Sequence, residues 1–269
     1  MSTLPKYFCV LAGLEAEFSR GLPIAMYHKV ATPRGLLPPR RGALLYVSPR
    51  FFERQLRQLK AAGFRSAMPD HAFAGNDESR RIAFTFDDGF ENVFDHALPL
   101  LNAHGFSGLV YLVADKLGKW NDWEQPLGAV PERLMDESQV REWLAAGHQI
   151  GAHTLTHPRL TLLSRAAARE EISASRKKLE DRFGVPVTHF CYPYGDHTDE
   201  VVALTEEAGF STATTTKTGV NQADTPKLRL RRYMARYPKW DAGGWLRLGR
   251  AAITDAFSRA GRRSSGERL

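Results

Sequence analysis

The sequence predicts an α/β protein whose fold is a (β/α) barrel of about seven parallel strands. Short apolar runs alternate along the chain with amphipathic stretches that end at glycine, which is the pattern of strands joined by helical crossovers. The chain has 269 residues, enough for one domain of barrel size. Because alternation does not decide whether a sheet closes, an open doubly wound sheet is the alternative.

The first repeating units lie in the first half of the chain. Leu22–Tyr27 is the first predicted strand. In the helix that follows, Ser48 can cap the N-terminus, Pro49 suits the first turn, and Gly63 ends the pattern. The next predicted elements are the strand Arg81–Phe86, a helix over about Glu91–His104, and the buried strand Ser107–Val113.

The second half continues the alternation after a loop. Residues 118–133 include Trp120 and Trp123 without clear periodicity, so we expect a loop insertion that either contacts substrate or covers the core. Asp136 and Gln139 predict a capping box for a helix that ends at Gly147. The remaining predicted elements are the strand Gln149–Ala152, the helix Ser164–Phe183, the strand His189–Tyr192, the helix Asp199–Ala208 and the strand Ser211–Thr215.

Composition excludes several protein classes. Apolar residues make up 43% and charged residues 25% of the chain, as in ordinary globular proteins. The two cysteines, Cys9 and Cys191, do not form a disulfide scaffold and fit a reducing compartment. The net charge of +7 admits nucleic acid, anionic lipid or an acidic glycan. No run of basic residues interleaved with aromatics occurs, so nucleic-acid binding is not expected.

The chain is expected to act in the cytoplasm. No stretch approaches the ~20 apolar residues of a membrane-spanning helix. The apolar run Tyr7–Leu14 is short and is interpreted as a packed segment, not a signal peptide.

Residues 1–240 are predicted to form one domain, and residues 241–269 a C-terminal helix with a basic tail. Such a helix can lie on the inner face of an anionic membrane; the alternative is packing on the barrel. Oligomeric state is not predicted.

Two adjacent acids follow the predicted strand Arg81–Phe86. Asp87 and Asp88 stand before Gly89, where active sites of parallel α/β folds gather. Neighbouring carboxylates repel unless a cation lies between them or one is protonated. Adjacent residues at a strand end point in different directions, so one can bind a metal while the other accepts a proton. A solvated turn is the alternative interpretation.

Two histidines follow the predicted strand Gln149–Ala152. Pro158 disfavours a helix through His157, so we place His153 at the strand end and His157 in the next turn. With one carboxylate, two neutral imidazoles form a three-ligand zinc site that leaves a position for water. Phe190–Gly195 ends another strand, and its proline and glycine predict a rigid bend able to hold a backbone N–H toward the same mouth.

Together these motifs closely resemble the polysaccharide deacetylase family, carbohydrate esterase family four, also called the NodB-homology domain. The resemblance spans about Pro23 to Tyr233. It implies a distorted, TIM-like (β/α) barrel and a divalent metal, commonly zinc, with cobalt or nickel as alternatives. It also implies hydrolysis of N-acetyl groups on amino sugars of a bacterial poly- or oligosaccharide. By residue, it implies that Asp87 is the general base, that Asp88, His153 and His157 hold the metal, and that the Tyr194 N–H stabilises the oxyanion.

The chain departs from the family pattern in two places. Cys191 stands where many members have an arginine that orients the base, and no Leu-x-His motif follows near the C-terminus. The Met-Tyr-His segment ending at His28 resembles the branch that includes poly-N-acetylglucosamine deacetylases. This makes His28 the candidate general acid, with a packed strand-end histidine as the alternative. Arg231 or Arg232 is a candidate replacement for the missing arginine.

Two other functions are alternatives. The chain could hydrolyse a different amide, such as a formamide, ureide or cyclic imide, because the pocket lining rather than the motifs selects the substrate. A carbohydrate-binding pseudoenzyme is the second alternative. It would be expected to lack the base or a ligand, yet all four residues of the predicted set are present. The substrate implied by the resemblance is an N-acetylated saccharide. Attachment of the C-terminal helix to the inner membrane face would bring a lipid-linked saccharide within reach.

Overall fold

A computed structural model describes the barrel region of the chain in five segments. They are residues 7–8, 14–32, 45–73, 80–123 and 131–235. The predicted C-terminal helix and tail at 241–269 lie outside the described residues. In the described parts of the chain, no helix has both the length and the apolar character needed to cross a bilayer.

One parallel sheet organises the fold. The strands are β1 (Tyr7–Phe8), β2 (Ile24–Tyr27), β3 (Lys29–Val30), β4 (Tyr46–Val47), β5 (Arg65–Ser66), β6 (Arg81–Phe86), β7 (Leu109–Leu112), β8 (Gln149–Ala152), β9 (His189–Cys191), β10 (Thr212–Thr214) and β11 (Tyr233–Ala235). The main sheet runs in the order β1-β11-β2-β6-β7-β8-β9-β10, with β5 beside β6 and β3–β4 paired separately. Its ladders are parallel, as predicted from the helical crossovers.

The sheet curls into a distorted barrel. Thr214 of β10 forms a parallel bridge with Leu230. The same stretch of chain continues into β11, which pairs with β2. The segment 230–235 therefore contacts both sides of the curve, and the predicted distorted (β/α) barrel is confirmed rather than the open sheet.

Helices cover the outside of the curve. They are α1 (Glu15–Phe18), α2 (Pro49–Ala61), α3 (Leu98–His104), α4 (Glu137–Ala145), α5 (Arg165–Phe183) and α6 (Asp199–Glu207). The predicted caps are confirmed. The Ser48 hydroxyl accepts the Phe51 N–H, and Asp136 and Gln139 form the capping box of α4. Gly184 ends α5 in the left-handed conformation.

Two predicted elements are wrong in detail. The helix expected over residues 91–104 contains a π-helical turn at Val93–Ala97 before α3. Pro99 lies at the start of α3, where its missing N–H and its ring disfavour an ordinary α-helical turn. The first strand begins at Ile24, because Leu22 instead forms an antiparallel bridge with Asn221.

The strands are buried, as expected for a covered parallel sheet. Every residue of β2 and β7 is buried, and β6 is buried after its first residue. The carboxyl ends of β2, β6, β8 and β9 lie at one end of the curve, and each is followed by a residue or motif that the sequence analysis selected.

Candidate active site

Three of the predicted ligand side chains converge beyond the carboxyl ends of β6 and β8. The Asp88 Oδ1 atom lies 3.3 Å from His153 Nε2 and 3.3 Å from His157 Nε2. All three side chains are buried, and their ligand atoms lie within 4.8 Å of one another. The structure therefore brings the Asp88 carboxylate to two imidazoles that follow it by 65 and 69 residues in the sequence.

The donor atoms of this cluster fit a divalent metal ion. The His153 Nδ1 atom lies 2.7 Å from the Cys191 carbonyl oxygen, which can only accept a hydrogen bond. That contact fixes a proton on Nδ1 and turns Nε2 toward Asp88, the arrangement found around metal-bound histidines. Burial raises the pKa of the Asp88 carboxyl, but hydrogen bonds from His153 and His157 outweigh it and hold that pKa well below its usual range. Two nitrogens and one anionic oxygen form a typical zinc ligand set.

A second group of potential ligands does not offer a metal site. Asp87, His153 and Cys191 also place ligand atoms within 4.8 Å of one another. However, both oxygens of Asp87 accept hydrogen bonds from Arg232, at 2.6 and 2.8 Å. The Arg232 Nη2 atom also lies 3.3 Å from Cys191 Sγ. A cation there would have to displace a buried guanidinium.

Arg232 is the arginine that contacts Asp87. Its guanidinium is buried and also donates hydrogen bonds to the Thr85 hydroxyl and the Thr215 carbonyl. Burial raises the pKa of the Asp87 carboxyl, but the charges of Arg232 and His28 outweigh burial and lower that pKa below its usual value. Asp87 therefore remains ionised. Of the two arginines suggested by the sequence, Arg232 is therefore in contact with Asp87, whereas Arg231 is exposed.

His28 lies beside Asp87 on the side of β2. Its Nε2 atom is 3.8 Å from Asp87 Oδ2, and 16% of its side chain is exposed. The separation is longer than a hydrogen bond, although a charged pair still interacts across it. His28 is therefore at the site with partial access to solvent, which a proton donor needs; its role as the general acid remains a prediction.

Tyr194 lies at the predicted bend after β9. Its backbone has φ 62° and ψ 0°, and its ring lies 4.8 Å from the ring of His157. The motif therefore borders the cluster of candidate ligands Asp88, His153 and His157, while the role of the Tyr194 N–H remains a prediction. Among the described residues, the non-glycine residues with positive φ are Asp88, Thr154, His157 and Tyr194. All of them belong to the three motifs, and such conformations are held only where surrounding contacts enforce them.

Trp123 of the predicted loop insertion contacts one of the candidate ligands. The ring of Trp123 stacks on that of His157 at 4.4 Å and 22°. Trp120 is 52% exposed and lies beside the Arg133 guanidinium, 5.5 Å from ring centroid to Cζ. The sequence singled out this loop by its tryptophans but did not decide between substrate contact and core covering. The stacking places Trp123 at the site.

Comparisons with known proteins point to one family. The polysaccharide deacetylase family model matches residues 74–213, just over half of the chain. YxkH of Bacillus subtilis, assigned to the polysaccharide deacetylases, is 24% identical over 226 residues, covering 82% of this chain and 74% of YxkH. A peptidoglycan-N-acetylglucosamine deacetylase of Listeria monocytogenes is 27% identical over 118 residues, 44% of this chain and 22% of that protein.

A solved structure shows the same fold. BA0330 of Bacillus anthracis, also assigned to the polysaccharide deacetylases, superimposes with a TM-score of 0.68 at 26% identity. The superposition covers 81% of this chain and 66% of that one, so this chain spans just under two thirds of BA0330. Because the family model matches more than half of the sequence, the chain belongs to the polysaccharide deacetylase family, whose members are hydrolytic deacetylases.

Proposed function

We propose that this chain is a metal-dependent hydrolase that removes N-acetyl groups from the amino sugars of a bacterial poly- or oligosaccharide. One observation carries the proposal: a three-residue ligand cluster lies next to an ionised carboxylate that does not belong to it. Asp88 faces His153 and His157, whereas its neighbour Asp87 faces Arg232. A hydrolase needs these two functions, electrophilic activation and proton acceptance, side by side.

The ligands in this proposal are Asp88, His153 and His157. A divalent ion held by them would polarise the acetamide carbonyl and acidify a water molecule. The mixed nitrogen and oxygen ligands favour zinc, and cobalt and nickel bind similar ligands. The stacking of Trp123 on His157 restricts the imidazole of this ligand to one orientation.

Asp87 is the proposed general base. Its contact with Arg232 keeps the carboxylate ionised near neutral pH, so that it can accept a proton from the attacking water. The same contact fixes both oxygens, which limits rotation of the carboxylate during proton transfer. The Tyr194 N–H, on the bend that borders His157, is the proposed donor to the oxyanion of the tetrahedral intermediate.

His28 is the proposed general acid. It lies on the Oδ2 side of Asp87 and is partly open to solvent. Hydrolysis forms a carbon–oxygen bond, breaks the carbon–nitrogen bond, and requires a proton on the departing nitrogen. In the proposed sequence Asp87 removes a proton from water, and His28 donates one to the amine as acetate forms.

The substrate class comes from the family and from the names of its members. The Listeria relative is named for the deacetylation of N-acetylglucosamine in peptidoglycan. An N-acetylated hexosamine unit is therefore the first substrate to test. The experiment should compare this unit in a polymer, in an oligosaccharide and in a lipid-linked precursor.

The cellular location is a separate proposal. The low cysteine count and the basic C-terminal region support action in the cytoplasm, with contact to the inner membrane face. Co-sedimentation with anionic liposomes, with and without residues 240–269, tests the membrane contact. Equal sedimentation of the two forms would contradict it.

The decisive experiment measures acetate release from N-acetylated saccharides, free and lipid-linked, with zinc, cobalt or nickel added. Purified Asp87→Asn protein is the matched control for contaminating activity. Saturable, metal-dependent acetate release by the wild type alone supports the proposal. Turnover restricted to formamides, ureides or cyclic imides would replace it with the other amide hydrolase, and saccharide binding without any turnover would indicate a pseudoenzyme.

A further inference from the structure

The loop between the two ligand histidines has an unfavourable backbone conformation. Thr154 and His157 have φ values of 67° and 69°, in the left-handed region that residues with a Cβ atom rarely adopt. The relative positions of His153 and His157 depend on this conformation, because only three residues separate them. Specific contacts must therefore hold it.

Part of the support comes from the loop itself and from the chain after β7. The Thr154 hydroxyl donates to the His153 carbonyl at 2.5 Å and accepts the His157 N–H at 3.0 Å. The Ala114 N–H donates to the Thr154 carbonyl, and the Asp115 N–H donates to the Leu155 carbonyl, both at 3.0 Å. These contacts do not involve the N–H groups of Leu155 and Thr156, which lie in the middle of the loop.

One carboxylate on α5 binds both of these N–H groups. Glu171 Oε2 accepts the Leu155 N–H at 2.8 Å and the Thr156 N–H at 3.0 Å. The other oxygen, Oε1, accepts the Thr156 hydroxyl at 2.6 Å. Three hydrogen bonds to one ionised acceptor are stronger than three neutral ones. The Glu171 carboxylate thus clamps the apex of the loop.

The helix that carries Glu171 is itself fixed against the barrel. Ala168 and Ile172, which precede and follow Glu171 in α5, are buried. The Ser164 hydroxyl caps the helix by accepting the Ala167 N–H at 3.3 Å. The Glu171 carboxylate therefore has a defined position relative to the loop that follows β8.

We propose that Glu171 is a positioning residue of the metal site, which sets the spacing of His153 and His157 through the backbone between them. This rests on the proposed function, because it assumes that the two imidazoles bind a metal. Glu171 contacts neither imidazole, and its effect passes through the Leu155 and Thr156 amides. Residues that orient metal ligands in this way typically contribute 10- to 100-fold to metal affinity.

Three variants isolate the role of the carboxylate. Glu171→Met removes the acceptor atoms with little change in length or helix propensity. Glu171→Gln restores the contacts, because its carbonyl can accept both N–H groups while its NH₂ group donates to the Thr156 hydroxyl. Glu170→Met makes the same exchange at the adjacent exposed position.

The measurement is zinc affinity by competition with a chromophoric chelator. We expect Glu171→Met to bind zinc about 10- to 100-fold more weakly than the wild type. Glu171→Gln should recover most of the affinity, and Glu170→Met should match the wild type. Unchanged zinc affinity in Glu171→Met overturns the proposal.

Loss of stability is controlled separately. Ile172→Val shortens a buried side chain of the same helix without removing any hydrogen bond of Glu171, and it destabilises the protein through packing. Urea unfolding of the metal-free forms measures this effect for each variant. If Ile172→Val weakens zinc binding as much as Glu171→Met does, the positioning role is refuted. If the wild type binds no zinc and releases no acetate, the proposed function fails instead.

Discussion

Replacing Arg232 with methionine tests how the barrel keeps Asp87 ready to accept a proton. The guanidinium donates two hydrogen bonds to the Asp87 oxygens at 2.6 and 2.8 Å, and both side chains are buried. Removing one partner of such a pair typically costs about 3–5 kcal/mol, because a buried charge loses its countercharge. At ~1.4 kcal/mol per tenfold change, the ratio of ionised to protonated Asp87 should fall roughly 10²- to 10⁴-fold.

The sign of the pH effect follows from the remaining environment. Without Arg232, burial still raises the pKa of the Asp87 carboxyl, and the largest of the charges that oppose it is gone. A protonated carboxyl cannot act as a base, so the acidic limb of the pH profile should move to higher pH. The assay is kcat/KM for acetate release as a function of pH, which reports groups of the free enzyme.

Two further variants make this test specific. Arg232→Lys keeps the charge but cannot bind both oxygens as a planar fork, so its acidic limb should lie between those of wild type and Arg232→Met. Arg231→Met changes the exposed neighbour and should leave the profile unaltered. An acidic limb that is the same in wild type and Arg232→Met, in protein that still binds metal, would refute the reasoning.

Other predictions concern the remaining site residues. Asp87→Asn should lower kcat by at least about 10²-fold while metal content, by elemental analysis, stays at the wild-type level; full activity would exclude Asp87 as the base. His153→Ala should lose the metal by the same analysis, and retention of one ion per chain would contradict the ligand assignment. His28→Ala should reduce the rate about 10²- to 10⁴-fold with metal retained, whereas an unchanged rate would mean that another group protonates the amine. Burial opposes a charge on His153, but its neighbours Cys191 and Asp88 outweigh burial and raise the pKa of the imidazole well above its ordinary value. Metal must displace that proton, so affinity should increase with pH and calorimetry in two buffers should show proton release; affinity independent of pH would argue against it.

Local signals predicted most secondary-structure elements correctly. Ser48 and the Asp136–Gln139 pair are caps in the structure because capping depends on contacts three residues apart. The strand Arg81–Phe86 has the predicted bounds, since its continuous apolar character reflects burial on both faces. The helix predicted over residues 91–104 is helical throughout, but apolar periodicity does not distinguish an α-helix from one that contains a π-helical turn.

The candidate site was predictable where function depends on residues directly after strands. Asp88, His153 and His157 could be identified because parallel strands bring their carboxyl ends to one edge. Glu171 could not be identified, since a glutamate on an amphipathic helix has the same local pattern whether it faces solvent or a loop. Its contacts with Leu155 and Thr156 exist only because α5 packs beside β8.

By itself, the sequence indicated which side chains are candidates for the chemistry, because each motif is contiguous and each follows an apolar strand. Only the tertiary structure decided which arginine serves Asp87. Arg231 and Arg232 are chemically identical neighbours, yet one is exposed and the other is buried against Asp87 and Cys191. The physical reason is the alternation of side chains along an extended backbone: successive residues point to opposite faces, and the register of the chain in the closing segment of the barrel determines which one points inward.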